Sequence, residues 1–250
     1  MNGFTRCIAP TLVASIVLAT GCSSTPADTA PTHAIDPAGG AIELPFTARG
    51  NEPFWRAIVE PGQLVLERMG EPPVELSYET IQRSATGRTF RAQGEGVLIS
   101  LVTARQLCHD SMTGMPYPNQ VRLKVNGDPF RGCGGDPEEM LQGAEWVVED
   151  IDGAGIIDSS RVTIDFMAAN RVAGSASCNQ FRGDWKLTGE GLGFTRIAAT
   201  KKACAPALME QESRFLSVLS DITRFDIGRH GELLLISSDG RMITALQSTE

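Results

Sequence analysis

The side chains best suited to chemistry are few, six cysteines and three histidines in 250 residues. Cys108-His109-Asp110 sets a thiol, an imidazole and a carboxylate side by side, the three groups that activate a cysteine nucleophile. Neighbouring side chains of an extended segment point to opposite faces, so the three do not meet if this stretch is a strand. A zinc site needs closely spaced Cys or His pairs, and no Cys pair separated by two to four residues occurs. The carboxylate pairs Glu138/Glu139 and Asp150/Asp152 fall in turn-like surroundings and read as a solvated acidic surface. There is no G-x-S-x-G, no H-E-x-x-H and no P-loop; Gly132-Cys133-Gly134-Gly135 lacks the lysine and the strand-to-helix setting of a phosphate cradle. The chain therefore reads as a non-enzyme, with no catalytic residue, no metal site and no cofactor.

Composition agrees with an ordinary globular chain, 42% hydrophobic and 21% charged. Mean hydropathy of −0.07 excludes a polytopic membrane protein. The formal net charge of −8 repels phosphate backbones, and the sequence shows no basic stripe, so no nucleic-acid partner is expected. With 26 Gly and 14 Pro, the chain is rich in turns.

Residues 1–21 have the form of an export signal: Arg6 is the lone charge, an apolar run extends from Ile8 to Ala19, and small residues follow. That run is too short for a spanning helix, which needs about 20 residues. Ala19-Thr20-Gly21-Cys22 resembles the lipobox of bacterial lipoproteins, although Leu18 stands further from the cysteine than is usual. The resemblance implies that Cys22 carries the acyl anchor, and Ser23 after it implies the outer membrane, at the periplasmic face or the cell surface. Residues 22–42 read as a flexible tether, small, polar and Pro-rich from Ser23 to Gly40. Buried acyl chains contribute about 0.8 kcal/mol per methylene, enough for membrane lipid to be the first partner.

Removal of Cys7 with the signal and use of Cys22 for lipid leave Cys108, Cys133, Cys178 and Cys204. An even number in an exported chain points to disulfides with three possible connectivities. Spacing favours Cys108–Cys133 and Cys178–Cys204, since each pair lies inside one of two modules. Loops of about 25 residues would each add roughly 3–4 kcal/mol.

The modules span 43–137 and 143–250, divided at the Gly/Pro punctuation 132–137. The first shows short alternating runs at 55–60, 63–68, 74–78, 88–93, 96–103 and 120–125, with turns at Gly94-Glu95 and Asn126-Gly127. The second shows runs at 146–149, 161–166, 171–175, 183–187, 223–227, 232–237 and 241–245. A helix is expected over 205–219, with Leu208, Met209, Phe215, Leu216 and Leu219 facing inward and Glu210, Gln211 and Arg214 outward. The fold class is mainly β with some α+β character, two small antiparallel barrel-like modules, the second with one packed helix.

The second module resembles the META domain, the family of HslJ-like heat-shock lipoproteins. The residues that carry the likeness are Trp146, the stretch Gly174 to Gly183 with Cys178, Asn179 and Phe181, then Thr200-Lys201-Lys202-Ala203-Cys204, and Glu212 to Phe215. Ser177 stands where the family often has Gly, and Trp185 where it often has Tyr. The resemblance implies a partly open β-barrel packed on one helix, and an association with the bacterial envelope, stress response and drug tolerance, without an agreed activity. The first module is similar to one found in predicted bacterial lipoproteins, through Gly50-Asn51-Glu52-Pro53-Phe54-Trp55, Cys108 to Pro118 and Gly132 to Gly135. Asn51, Glu52, Phe54 and Trp55, a polar pair beside two aromatics, are its candidate ligand lip.

Two functions follow as expectations. One is a non-enzymatic envelope lipoprotein that binds a small apolar ligand or an envelope component, with Phe166, Trp185, Phe194 and Phe215 lining an open barrel. The alternative is a protein-binding module, an inhibitor of an exogenous hydrolase of the lysozyme type or an assembly partner, whose acidity steers it to a basic enzyme.

Overall fold

The computed structural model describes residues 42–248. The export signal, Cys22 and all of the tether but its last residue lie outside the described residues. Eight strands form the first barrel: β1 (Phe46–Asn51), β2 (Phe54–Glu60), β3 (Gln63–Arg68), β4 (Val74–Ser84), β5 (Gly87–Gly94), β6 (Val97–His109), β7 (Pro116–Val125) and β8 (Asp128–Gly134). Each pairs antiparallel with the next, and β8 returns to β1 through Ala48↔Gly134 and Arg49↔Cys133, closing the sheet. Hairpin chemistry sets the register: Asn126 and Gly127 both take positive φ, as a two-residue turn between right-twisted strands requires.

Period-two alternation sends one face of every strand into the barrel. Trp55, Ala57, Val59, Leu64, Leu66, Phe90, Ile99, Leu101, Val121 and Leu123 are all buried there, and their side chains fill the interior. Two strands of this barrel went unrecognised in the sequence, β1 and β8, and they form the closing seam. The Gly-rich stretch expected to be a boundary begins inside β8. The reason is steric. A Cβ at Gly132 would lie 1.9 Å from the Arg49 carbonyl oxygen and 2.7 Å from Trp55 Cζ2, so the seam excludes the side chains that signal a strand.

The second sheet contains β9 (Trp146–Ile151), β10 (Ala154–Gly155), β11 (Thr163–Met167), β12 (Arg171–Ser175), β13 (Gln180–Thr188), β14 (Gly191–Ala199), β15 (Ile222–Ile227), β16 (Leu233–Ser237) and β17 (Met242–Gln247). Its order is β14-β13-β12-β11-β9-β17-β16-β15, with β10 added to β9. It nearly closes, since an atom at the Cβ position of Gly191 in β14 would lie 2.1 Å from the Thr223 carbonyl oxygen in β15. Between these edge strands runs α1 (Pro206–Ser220), opened by a proline at its first turn. Phe215 packs on Phe181 with ring centroids 5.4 Å apart.

The helix face differs from expectation at two residues. Gln211 is buried, while Met209 is exposed, because Gln211 and Glu212 turn toward the sheet and are held there by hydrogen bonds. Disulfides Cys108–Cys133 and Cys178–Cys204 are formed, with Cα atoms 5.5 and 6.1 Å apart. The first ties β6 to β8 across β7. The second ties the turn between β12 and β13 to the segment leading into α1. The barrels share apolar packing, for Met115, Tyr117, Met140 and Leu141 belong to the same buried cluster as Trp146, Phe225 and Ile227.

Replacing Gly132 by Val should cost at least about 2 kcal/mol through overpacking at the seam. A urea midpoint unchanged from the wild type would show that β1 and β8 do not close as described.

Candidate functional site

Asp110 follows β6 directly and organises the turn from Ser111 to Gly114. Its Oδ1 accepts from the Met112 N–H at 3.0 Å, the Thr113 N–H at 2.8 Å and the Thr113 hydroxyl at 3.0 Å. Its Oδ2 accepts from Asn51 Nδ2 at 2.9 Å, and the same amide reaches Ser111 Oγ at 3.1 Å. Burial raises the carboxyl's pKa, but these donors outweigh it and hold the group below its ordinary value of 3.8. Such a carboxylate is an anchor for backbone and a poor proton acceptor. The neighbouring groups are engaged elsewhere. Cys108 is oxidised, and His109 Nε2 lies 2.8 Å from Asp226 Oδ1 of the second barrel. The thiol, imidazole and carboxylate of this tripeptide therefore do not converge.

Beside this turn, the outer face of the first barrel forms a cleft of about 230 Å³. Its walls carry Arg49 from β1, Gln120 and Arg122 from β7, and Arg131 from β8, with Asn51 and the Cys108–Cys133 bridge at its edge. Arg122 and Arg131 are direct cross-strand partners, as are Arg49 and Arg56. Arg56 has Glu67 at 3.7 Å, and the Arg49 guanidinium lies over the Tyr117 ring at 5.5 Å. Arg122 and Arg131 have no carboxylate partner among the described residues. Sequence reasoning missed this cluster because barrel closure, and not spacing along the chain, assembles it.

A larger cleft of about 610 Å³ adjoins it and shares Arg49. Asn119, Asp136 and Glu139 line it together with Phe46. Burial, then the charges of Asp136 and Glu43, raises the Glu139 pKa above the usual range. Both clefts are polar and lie outside the barrels.

The lip expected from sequence is dispersed. Asn51 borders the small cleft, Glu52 sits exposed in the turn before β2, Phe54 is 42% exposed, and Trp55 is buried inside the barrel. The four aromatics expected to line an open second barrel are core residues. Phe166 stacks edge-on against Trp185 at 5.5 Å and lies 5.8 Å from Phe194, while Phe215 is fully buried.

In the second barrel the motif residues build a closed network. Asn179 Oδ1 accepts from the Thr200 hydroxyl and the Lys202 N–H, both at 2.7 Å. Its side-chain amide donates to Glu212 Oε1 at 2.9 Å, and its backbone N–H donates to Glu212 Oε2 at 2.8 Å. Asn179 thus joins the sheet, the Thr200–Lys202 segment and α1, beside the Cys178–Cys204 bridge. Gln211 extends the network, accepting from the Ile157 N–H at 2.8 Å and donating to Ser177 Oγ at 3.1 Å. Ser177 has φ of +95°, the left-handed region that favours glycine. Gly174 and Gly183 stand where added Cβ atoms would collide, the first 2.0 Å from the Thr163 carbonyl oxygen and the second 2.5 Å from Ile197 Cδ1. Phe181 is buried against α1.

The described residues thus form two antiparallel barrel-like sheets, one closed and one nearly closed, with a single α-helix, an internal Asn–Glu–Thr network and polar outer clefts. Residues 139–250 match the META domain family. Two solved structures are similar over part of the chain. An NMR structure of a protein from Burkholderia xenovorans is 21% identical, covering 45% of this chain and 86% of that one, with a TM-score of 0.38. A second NMR structure is 27% identical, covering 43% and 92%, with a TM-score of 0.37. No curated protein matches the chain.

Two substitutions test these assignments. Asp110 has a depressed native pKa, so its contribution is present above the unfolded value and is lost as pH falls through the folded one. Asp110→Asn should lose roughly 1–3 kcal/mol at neutral pH, and the difference from wild type should shrink below pH 3.8; a constant gap in acid denaturation curves contradicts this. Asn179→Ala should cost at least about 1–3 kcal/mol because it removes the side-chain partner of Glu212 Oε1, the Thr200 hydroxyl and the Lys202 N–H, read as a lower thermal midpoint.

Proposed function

We propose that the protein is a non-catalytic lipoprotein of the bacterial envelope, moored in the outer membrane by acyl chains on Cys22, that binds an envelope component through the outer face of its first barrel. The observation that carries this reading is the contrast between filled interiors and polar outer clefts. The interior aromatics of both barrels are packed against neighbours, whereas guanidinium groups without a carboxylate partner among the described residues converge on the surface beside the Asp110 turn. That contrast favours a polar envelope component over an apolar ligand held within a barrel. An arginine-lined cleft is also poorly suited to a basic hydrolase, which favours envelope binding over inhibition of a lysozyme-type enzyme.

Other features support the same reading. Two disulfides suit an oxidising compartment outside the cytosol. The groups with catalytic potential around Cys108 are committed to a bridge, an interbarrel contact and a turn. The META match at 139–250 accords with the envelope-stress association of HslJ-like lipoproteins.

The anchor is tested by detergent phase partitioning of the full chain expressed with its signal. Wild type should enter the detergent phase and Cys22→Ser the aqueous phase. Equal partitioning of the two chains would falsify the lipid anchor.

A further inference from the structure

We infer that the cleft bounded by Arg49, Arg122 and Arg131 is an anion site that takes a phosphate monoester; it deepens the envelope-binding reading and rests on it for its setting. Four observations lead there. First, three guanidinium groups from three strands border one cleft of about 230 Å³ in a chain whose net charge is −8. The cluster thus runs against the overall charge of the molecule.

Second, Arg122 and Arg131 face each other across β7 and β8 without a carboxylate partner among the described residues. Like charges directly opposite in a sheet destabilise it, and an anion between them removes that cost. Third, the carboxylate on the cleft wall makes no ion pair with the arginines among the described residues. Asp110 is held by four hydrogen bonds, three from its own loop on one oxygen and one from Asn51 of β1 on the other. Fourth, Gln120 and the Asn51 side chain, its Nδ2 held by Asp110 and Ser111, add neutral polar groups to the lining, which suit the ester side of a ligand.

Charge and size select the ligand class. Three guanidiniums against one carboxylate leave an excess of two positive charges, which matches a phosphate dianion better than a single carboxylate. Guanidinium forks bind terminal phosphate oxygens in pairs. The cleft is smaller than the roughly 300–1,000 Å³ of sites that enclose a drug-sized molecule, so it grips a head and leaves the remainder outside. Such a head occurs both on free phosphate esters and on phosphorylated membrane lipids, and the cleft recognises the chemistry common to both.

Isothermal titration of the full chain in neutral detergent, in a phosphate-free buffer of low ionic strength, tests the site with glycerol phosphate, inorganic phosphate and succinate. Saturable binding of both phosphates is expected, weakened by added salt and at least tenfold weaker in Arg122→Gln/Arg131→Gln, with succinate binding less tightly. Both arginines are exposed, so the double variant should keep the wild-type thermal midpoint; should it not, Arg122→Gln and Arg131→Gln are read singly, each with a several-fold loss. Sedimentation of the Cys22→Ser chain with vesicles of phosphatidylcholine, with and without phosphatidic acid, separates the two sources. Arginine-dependent capture by phosphatidic acid assigns the site to lipid heads. No capture alongside binding of glycerol phosphate assigns it to free esters. Absence of saturable phosphate binding, equal binding by the arginine variants, or tighter binding of succinate overturns the inference. A chain that partitions into detergent through Cys22 and fails these titrations loses the anion site alone; one that binds phosphate and stays aqueous loses the anchor alone.

Discussion

The closure of β1 on β8 is the constraint from which the rest of the first barrel follows. Two strands far apart in the chain must approach over the indole of Trp55, and the approach is possible because Gly132 presents no side chain to the Arg49 carbonyl. Closure removes both sheet edges, and with them any template for edge-to-edge pairing. It also packs the interior with Trp, Phe and aliphatic side chains, which moves any binding function to the outside. The same seam carries Arg49 to the neighbourhood of Arg131 and Arg122, so a steric condition inside the barrel fixes an electrostatic pattern on its surface.

The polar side chains divide into two populations. One is consumed by architecture: Asp110 holds a turn, Asn179 and Glu212 join sheet to helix, and Gln211 supports the positive-φ residue Ser177. Each has its hydrogen-bonding capacity met by named partners, as burial demands. The other population, the arginines of the cleft, is exposed and makes no ion pair with a carboxylate among the described residues. The motif residues are thus mainly scaffold here, while Asn51, Cys108 to Ser111 and Gly132-Cys133 of the first module's motif also border the arginine cleft.

Much of the fold was legible in the sequence, and the part that was not has identifiable causes. Alternating runs in β2, β3 and β5 announced themselves because one face is apolar and the other polar, and β16 through its continuous apolar run. Asn126-Gly127 marked its hairpin through the positive φ both residues must adopt. The seam strand β8 was hidden because the glycines that permit closure are the residues that usually end a strand. Gln211 was placed on the wrong helix face because periodicity counts apolar residues, and a buried amide with three partners is invisible to it. For the site, Asn51 was found through its neighbourhood, but Trp55 beside it proved to be core. The arginine cluster left no local signal, since its members come from β1, β7 and β8.

Met115, Tyr117, Met140 and Leu141 precede or open the META segment, yet they are buried in its core, and His109 reaches across to Asp226. Severing the polypeptide near its midpoint would therefore leave a raw greasy scar on either fragment. A change in bulk on one side of this shared packing demands its answer on the other. What looks in the sequence like a pair of beads on a string shares one buried cluster across the join.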